Sequence, residues 1–295
     1  MRHTPAAICI AIAICTFAEA SYAQNFDTVQ IKTFKMSETI YMLEGSGGNI
    51  GVLTGKDGTV MIDDQFAPLS EKIKAAIKQV TDAPVKFVIN THFHGDHVEG
   101  NENFSKDGAI IVAQSNSRLR MTKDEFDSTF KQERKAAPYD ALPKVTFGDS
   151  VTLHMDGETV QVTHVPNAHT DGDAIIYFKE SNIIHTGDVF VRYGLPFIDQ
   201  RHGGSIDGMI AGADVILNLA NNDTKIIPGH GEIATKKDVS DYKDKLVTIR
   251  KRIADGIKQG KSLSEIIAAD PTREYKTGFD KSAFILLAYE SLKNK

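Results

Sequence analysis

Thr91-His92-Phe93-His94-Gly95-Asp96-His97 follows directly on Val85-Lys86-Phe87-Val88-Ile89-Asn90. The earlier run is apolar and β-branched, which reads as a buried strand. The seven residues after it therefore sit where a strand ends and the chain turns. Residues two apart on an extended chain point the same way, so His92 and His94 approach one metal ion together. Gly95 permits a sharp bend, after which Asp96 and His97 face a second position beside the first. Imidazole and carboxylate are the natural ligands of zinc and its divalent neighbours. Packed without a metal, such a cluster would leave desolvated polar groups unpaired.

Strands and helices alternate around this stretch. Val29–Phe34, Thr39–Leu43, Ile50–Leu53 and Val60–Ile62 read as strands, with a hairpin-like Gly55-Lys56-Asp57-Gly58 between the last two. Ser70–Val80 has helical spacing, with Ile73, Ile77 and Val80 on one face. Ala109–Ala113 reads as a strand and Asp124–Ala136 as a charged, solvated helix. A second set of strands covers Val151–Leu153, Thr159–Val165, Ala174–Phe178, Ile183–His185 and Lys225–Ile227. Ser205–Leu219 reads as a helix capped by Ser205, and Lys236–Gln259, Leu263–Ala269 and Ser282–Leu292 as terminal helices. Two strand-rich halves, each followed by helices, predict two packed sheets with helices outside.

Three later positions repeat the local grammar of strand, turn, ligand: His169 in Val165-Pro166-Asn167-Ala168-His169, Asp188 in His185-Thr186-Gly187-Asp188, and His230 in Ile227-Pro228-Gly229-His230. With T-H-F-H-G-D-H, A-H-T-D-G-D, H-T-G-D and P-G-H-G in this order and spacing, the chain resembles the metallo-β-lactamase superfamily from about Thr39 to His230, as a secreted lactamase-like member. The resemblance implies an α/β fold, a four-layer αββα sandwich, with a dinuclear site at one edge of the sheets. It implies one ion on His92, His94 and His169, another on Asp96, His97 and His230, and Asp188 bridging. Asp63 matches the family's short acidic motif as a residue orienting a ligand, with Asp64 a weaker candidate.

The 295 residues are 41% hydrophobic and 25% charged, with a formal net charge of -5. This is ordinary globular composition without a basic footprint for nucleic acid. Residues 1–23 read as a secretory signal peptide: Arg2 and His3, the apolar Ala6–Ala18, then Ser21-Tyr22-Ala23 before Gln24. The apolar run falls short of the about 20 residues a membrane span needs. Periplasmic or secreted location follows, with 24–295 as one hydrolase domain and no membrane contact after cleavage. Both cysteines, Cys9 and Cys15, lie in the removed segment, which excludes a mature disulfide, thiol nucleophile or thiolate ligand.

The expected chemistry is hydrolysis of a carbonyl bond in a small molecule, with two zinc ions supplying an activated hydroxide and Asp96 as the catalytic carboxylate. Iron or manganese are the alternative metals. A β-lactam is the first substrate expectation. Asp188 instead resembles the glyoxalase II-type thioesterases and lactonases. The family's diiron oxidoreductases carry Glu where His94 stands. An iron-dependent oxidoreductase and a metal-dependent binding protein without catalysis are the readings from other classes. Tyr193 and Arg201, with Phe190 and Phe197, are expected to line the substrate pocket, Arg201 meeting a substrate carboxylate. Ser46–Asn49 reads as a tight turn or a flap over the site. His154, His164, His185 and His202 fit no ligand spacing and read as structural or solvated.

Overall fold

Met42 and Leu43 face opposite ways, and that alternation organises the molecule. Met42 points between two sheets and Leu43 toward helices. The computed structural model describes residues 25–127, 132–276, 278 and 280–293. The signal-peptide reading of 1–23, and both cysteines, lie outside the described residues.

The first sheet has seven strands: β1 (Lys32–Lys35), β2 (Ile40–Glu44), β3 (Ile50–Leu53), β4 (Thr59–Ile62), β5 (Val85–Ile89), β6 (Ile110–Gln114) and, last in spatial order, β9 (Val145–Phe147). A separate small hairpin, β7 (Glu125–Asp127) and β8 (Gln132–Arg134), stands between β6 and β9 in the chain. The second sheet runs β10 (Ser150–Met155), β11 (Glu158–Val165), β12 (Asp173–Phe178), β13 (Ile183–His185), β14 (Lys225–Ile227). The helices are α1 (Ser70–Lys78), α2 (Gly95–Val98), α3 (Asn101–Lys106), α4 (Ser115–Met121), α5 (Ile206–Leu219), α6 (Lys236–Lys258), α7 (Leu263–Ala268) and α8 (Lys281–Lys293).

Three apolar interfaces make four layers. Met42, Ile62 and Ile89 of the first sheet meet Val162, Ile176 and Phe178 of the second. Leu43, Met61 and Val88 turn outward against Ile73, Ile77 and Phe104 of α1 and α3. Ile175, Ile184 and Ile226 turn outward against Met209, Leu246 and Phe284 of α5, α6 and α8. The inner strands are covered on both faces, which is why β3, β4 and β13 read as unbroken apolar runs, while β1 and β10 at the edges are partly exposed. This is the expected αββα sandwich. Among the described residues no helix is long and apolar enough to cross a membrane.

Three expectations change. Asp124–Ala136 is not a helix: β7 pairs antiparallel with β8, Glu125 opposite Arg134, with 128–131 outside the described residues. Its charges pair across the hairpin, Arg134 with Glu125 and Lys135 with Asp124, and Glu125 also reaches Arg201 and His202, so the local charge pattern misleads. The first strand begins at Lys32 rather than Val29. Helices α2, α3 and α4 and strand β9, all seven residues or shorter, add to the expected elements.

Parallel pairing places the site. β5 lies parallel to β4 and β6, and β13 parallel to β14. The strands that carry Asp63, the Thr91–His97 stretch, Asp188 and His230 thus end at one edge, where open α/β sheets bind ligands. Thr91 O accepts from Ala174 N across the sheets at 2.7 Å. Helix α5 fixes the remaining ligand segment, because Gly208 lies directly on the Asn167 carbonyl and a Cβ there would overlap it. Ala for Gly inside a helix ordinarily gains about 0.5–1 kcal/mol. Overpacking against backbone costs about 1–3 kcal/mol and wins here. Gly208→Ala is expected to lower the melting temperature by roughly 2–8 °C, given about 2–4 °C per kcal/mol at this size. Calorimetry giving an unchanged or raised value would show that α5 can lift off the segment without loss.

Candidate metal centre

Asp63 ends β4 in a left-handed conformation, φ 62°, which costs a non-glycine residue about 1 kcal/mol or more. Its hydrogen bonds explain why the strain is tolerated. Thr91 N donates to Oδ1 at 2.7 Å, Thr91 Oγ1 donates to Oδ2 at 2.8 Å, and His97 Nδ1 lies 2.7 Å from Oδ2. One buried carboxylate thus fixes both the turn after β5 and the ring of His97. His94 stays extended, φ -69° and ψ 146°, and α2 starts at Gly95. His97 N donates to His94 O at 3.0 Å. The chain therefore bends between His94 and Asp96, as the glycine suggested.

The later ligands arrive from the second sheet. His169 leaves β11 on a turn pinned by Asp173, which accepts from Thr170 N at 2.8 Å and Thr170 Oγ1 at 2.5 Å. Burial pushes the Asp173 carboxyl up to about 8. Asp188 follows β13 in a short helical turn, and His230 follows β14. Gly229 is obligatory between them, because a Cβ there would overlap the Asp188 carboxylate.

The ligand-type atoms of His92, His94 and His169 all lie within 4.8 Å of one another, as do those of Asp96, His97 and His230, and those of His92, His97 and Asp188. His94 Nδ1 stands 2.9 Å from His169 Nε2, and His97 Nε2 stands 3.3 Å from His230 Nε2. Asp188 spans the two groups, with Oδ1 3.3 Å from His97 Nε2 and Oδ2 3.7 Å from His169 Nε2 and 3.4 Å from His230 Nε2. Asp96 Oδ2 lies 3.2 Å from His230 Nε2.

Do these residues fit metal ions? His92 Nε2 is buried with no hydrogen-bond partner. His169 Nδ1 faces the Phe197 carbonyl at 2.8 Å, and His94 Nε2 faces the Asp199 carboxylate at 2.8 Å. Both contacts require an N–H there, so in the neutral rings Nδ1 of His94 and Nε2 of His169 present electron pairs to each other. Three electron pairs converging in a buried place call for a cation. Burial, with His97 and His169 beside it, holds His92 well below the usual histidine range, and burial holds His169 at about 4. At the other group the carboxylates overcome burial: Asp188 lifts His230 to about 9, and Asp96 lifts His97. There the proton takes a cation's place. The donor set fits two divalent ions.

A cleft of about 990 Å³ opens over the donors. Phe66, Phe93, Val98, Met121, Tyr193 and Phe197 supply its apolar lining. The Tyr193 ring lies 5.6 Å from that of His230, and Phe197 lies 6.1 Å from His94 and 6.0 Å from His169. Phe190 is core, packed on Tyr242. Arg201 departs from expectation. It does not line the cleft, and its guanidinium is held by Glu125 at 3.2 Å and by the Phe126 carbonyl. Ser46–Asn49 departs from the flap reading too. Gly48 N donates to Asp96 O, Asn49 N to Gly229 O, and Asn49 Nδ2 to the carbonyls of Pro228 and Gly231. The segment is a strut between the chain stretches that carry Asp96 and His230, and a Cβ on Gly48 would overlap the His97 ring. Asp64 accepts from Gly100 N at 2.9 Å, and burial pushes its carboxyl well up. His185 lies inside the sheet layer against Asn49 O, as expected. Thr91 meets His92 Nδ1 at 3.0 Å, a role that no ligand-type pattern in the sequence marks for it or for Asp199. Asp199 sits in a loop with no strand or motif before it.

A sequence profile described as the metallo-beta-lactamase superfamily matches residues 43–230. The "Beta-lactamase-like protein 2 homolog" of Caenorhabditis elegans is 24% identical over 226 residues, covering 75% of this chain and 68% of that protein. A hydroxyacylglutathione hydrolase of Pelagibacter ubique is 27% identical over 124 residues, covering 41% of this chain and 44% of that one. The chain thus spans less than half of the latter's length. Among solved structures, a metallo-beta-lactamase from Pontibacter korlensis superposes with a TM-score of 0.61 at 18% identity, covering 74% of this chain and 99% of that one. That last likeness shows the fold alone. With the profile spanning well over half of its length and the donor cluster at the sheet edge, this chain belongs to the metallo-beta-lactamase superfamily of metal-dependent hydrolases.

Proposed function

We propose that the protein hydrolyses a carbonyl ester or thioester bearing a bulky, uncharged apolar group. The observation that carries this is a seven-donor cluster at the floor of an open cleft whose walls are mostly apolar. His92, His94 and His169 would hold one ion, and Asp96, His97 and His230 the other, with Asp188 shared. Zinc suits imidazole and carboxylate donors, and a pair of such ions supplies Lewis acidity and an activated water at neutral pH. Asp63 keeps the His97 ring turned to the site. Tyr193 and Phe197 place the apolar part of the substrate beside the ligands.

The wall chemistry separates this reading from a β-lactam. A β-lactam carries a carboxylate that a cation would anchor. Among the described residues lining the cleft, Arg134 is paired with Glu125 at 2.9 Å and Lys135 with Glu133 at 3.1 Å. Arg201, the expected anchor, is committed to the β7–β8 hairpin. The β-lactam reading stays second, favoured by the sequence motifs. Residues 1–23 support export, and N-terminal sequencing of the cell-purified protein should find Gln24 first.

Purified mature chain with zinc should cleave p-nitrophenyl and thioester acyl substrates, kcat/KM rising with acyl length from acetyl to octanoyl. Each buried methylene contributes about 0.8 kcal/mol, or up to fourfold. A chelator should abolish turnover and zinc restore it. A chromogenic cephalosporin cleaved faster than every acyl substrate would put the β-lactam reading first.

Asp96→Ala removes a ligand but keeps the backbone carbonyl that Gly48 uses. It should lower turnover by about a thousandfold or more, consistent with loss of catalytic electrostatics, with the melting temperature nearly unchanged. Asp188→Ala should weaken both ions in a metal titration. Two ions held at wild-type affinity by Asp188→Ala would show that it is not shared.

The metal-free chain should respond to pH in the opposite sense to metal uptake. His230 is raised from 6.5 to about 9, so its stabilising contribution is complete below 6.5 and is lost as pH rises through 9. Metal binding displaces that proton, so affinity should climb over the same window. Melting temperatures of metal-free and zinc-loaded chain from pH 6 to 9.5 test this. Parallel curves would refute the exchange of proton for metal.

A further inference from the structure

We propose that Asp199, His202 and Glu125 form a positioning relay that turns Nδ1 of His94 toward the metal site and ties the cleft wall to it. The inference rests on the proposed ligand role of His94.

Each buried histidine ligand on these sheets presents one nitrogen to the site and gives the other to a fixed partner. For His92 the partner is Thr91, for His97 it is Asp63, and for His169 it is the Phe197 carbonyl. In all three the partner takes Nδ1. His94 is reversed: its Nε2 meets Asp199 Oδ2 at 2.8 Å, and Nδ1 points to His169. The ring is half-buried, with 21% of its side chain exposed. A half-turn about its Cβ–Cγ bond would put Cδ2 where Nδ1 now stands and Cε1 where Nε2 stands, taking the donor away from the site and the N–H away from Asp199. Asp199 decides the orientation from outside.

Asp199 is itself held on several sides. Its N donates to His169 O at 2.9 Å, so it stands at a fixed distance from a second ligand. Its Oδ2 also meets His202 Nδ1 at 2.6 Å, and Oδ1 accepts from His202 N at 3.2 Å. His202 Nε2 then meets Glu125 Oε2 at 2.7 Å, at the start of β7. With a carboxylate at each ring nitrogen, His202 donates from both. Glu125 also accepts from Arg134 at 2.9 Å, whose guanidinium lies 5.0 Å over the Phe93 ring, and Phe93 stands between His92 and His94 in the chain. The Phe93 ring in turn packs 5.0 Å from that of His202. The path therefore closes on itself: His94, Asp199, His202, Glu125, Arg134, Phe93.

This arrangement gives the hairpin a role that its sequence did not suggest. Its first residue ends a hydrogen-bonded line to the metal site, so the wall that meets substrate and the ring that meets the ion keep one spacing. Asparagine cannot replace Asp199 fully. It has one acceptor oxygen in place of two, and its amide nitrogen would face either His202 N–H or the pair of imidazole donors.

The test is metal affinity, measured on the whole mature chain by competition with a chromophoric chelator for zinc and by the visible absorption of the cobalt(II)-loaded chain. Wild type should bind two ions. Asp199→Ala should weaken one of them by about 10- to 100-fold, the usual effect of losing a ligand's outer partner, and change the cobalt spectrum. His202→Ala should weaken the same ion by about three- to tenfold, and Asp199→Asn should fall between wild type and Asp199→Ala. Glu125→Gln should cost about threefold. Because the residues act in series, His202→Ala should add little in an Asp199→Ala background. A wild-type chain that binds no divalent ion overturns the ligand reading and the relay with it. Two ions at wild-type affinity in Asp199→Ala, or fully additive losses in the double variant, overturn the relay alone. Should Asp199→Ala fail to fold, wild-type affinities in both His202→Ala and Glu125→Gln overturn it equally.

Discussion

Crowding five imidazoles and two carboxylates into one place is unfavourable, and the rest of the structure is built to enforce it. Electron pairs of His94 and His169 face each other at 2.9 Å, and His92 Nε2 is buried without a partner. Left to themselves, these side chains would swing toward water. They are prevented by strands buried on both faces, whose ends cannot shift without opening an apolar interface. At about 25 cal/mol per Å² of apolar surface, such burial outweighs the repulsion among a few donors. The glycines fit the same logic. Gly48 and Gly229 stand where any side chain would collide with His97 or Asp188, so the backbone itself is part of the cage.

Much of this was legible in the sequence because the decisive features are local. Unbroken apolar runs mark strands covered on both faces, and Val60-Met61-Ile62 divides as required, Met61 outward and its neighbours inward. Each ligand comes within a few residues of such a run, so a strand followed by a turn residue and a His or Asp located it. Asp63 shows a limit. Its place after β4 was visible, but its left-handed backbone and its grip on both Thr91 and His97 were not.

What escaped the sequence depends on pairing across distance. Asp124–Ala136 carries charges that suit an exposed helix, yet Glu125 is taken up by Arg134, Arg201 and His202, and the last two lie more than seventy residues away. Nearness to Asp188 in sequence predicts a pocket position for Arg201. The chain turns between them, and its guanidinium reaches the hairpin. Asp199 is the opposite failure: a residue without motif, in a loop, that meets one ligand side chain and another ligand's backbone.

The division between what was legible and what was not follows the division of labour in the site. Donors stand at or just after strand ends, where packing of the strands fixes their backbone. Part of the wall comes from the β7–β8 hairpin and the stretch from Tyr193 to His202, which hydrogen bonds and ion pairs tie to the site without pairing to either large sheet. Substitution in the walls therefore leaves the donor cage standing, while substitution in the apolar run behind a donor disturbs the cage and the core together. Selectivity can then change in the walls at small cost to the centre, except along the line through Asp199 and His202. There the wall and the centre share atoms, so a change in either reaches the other.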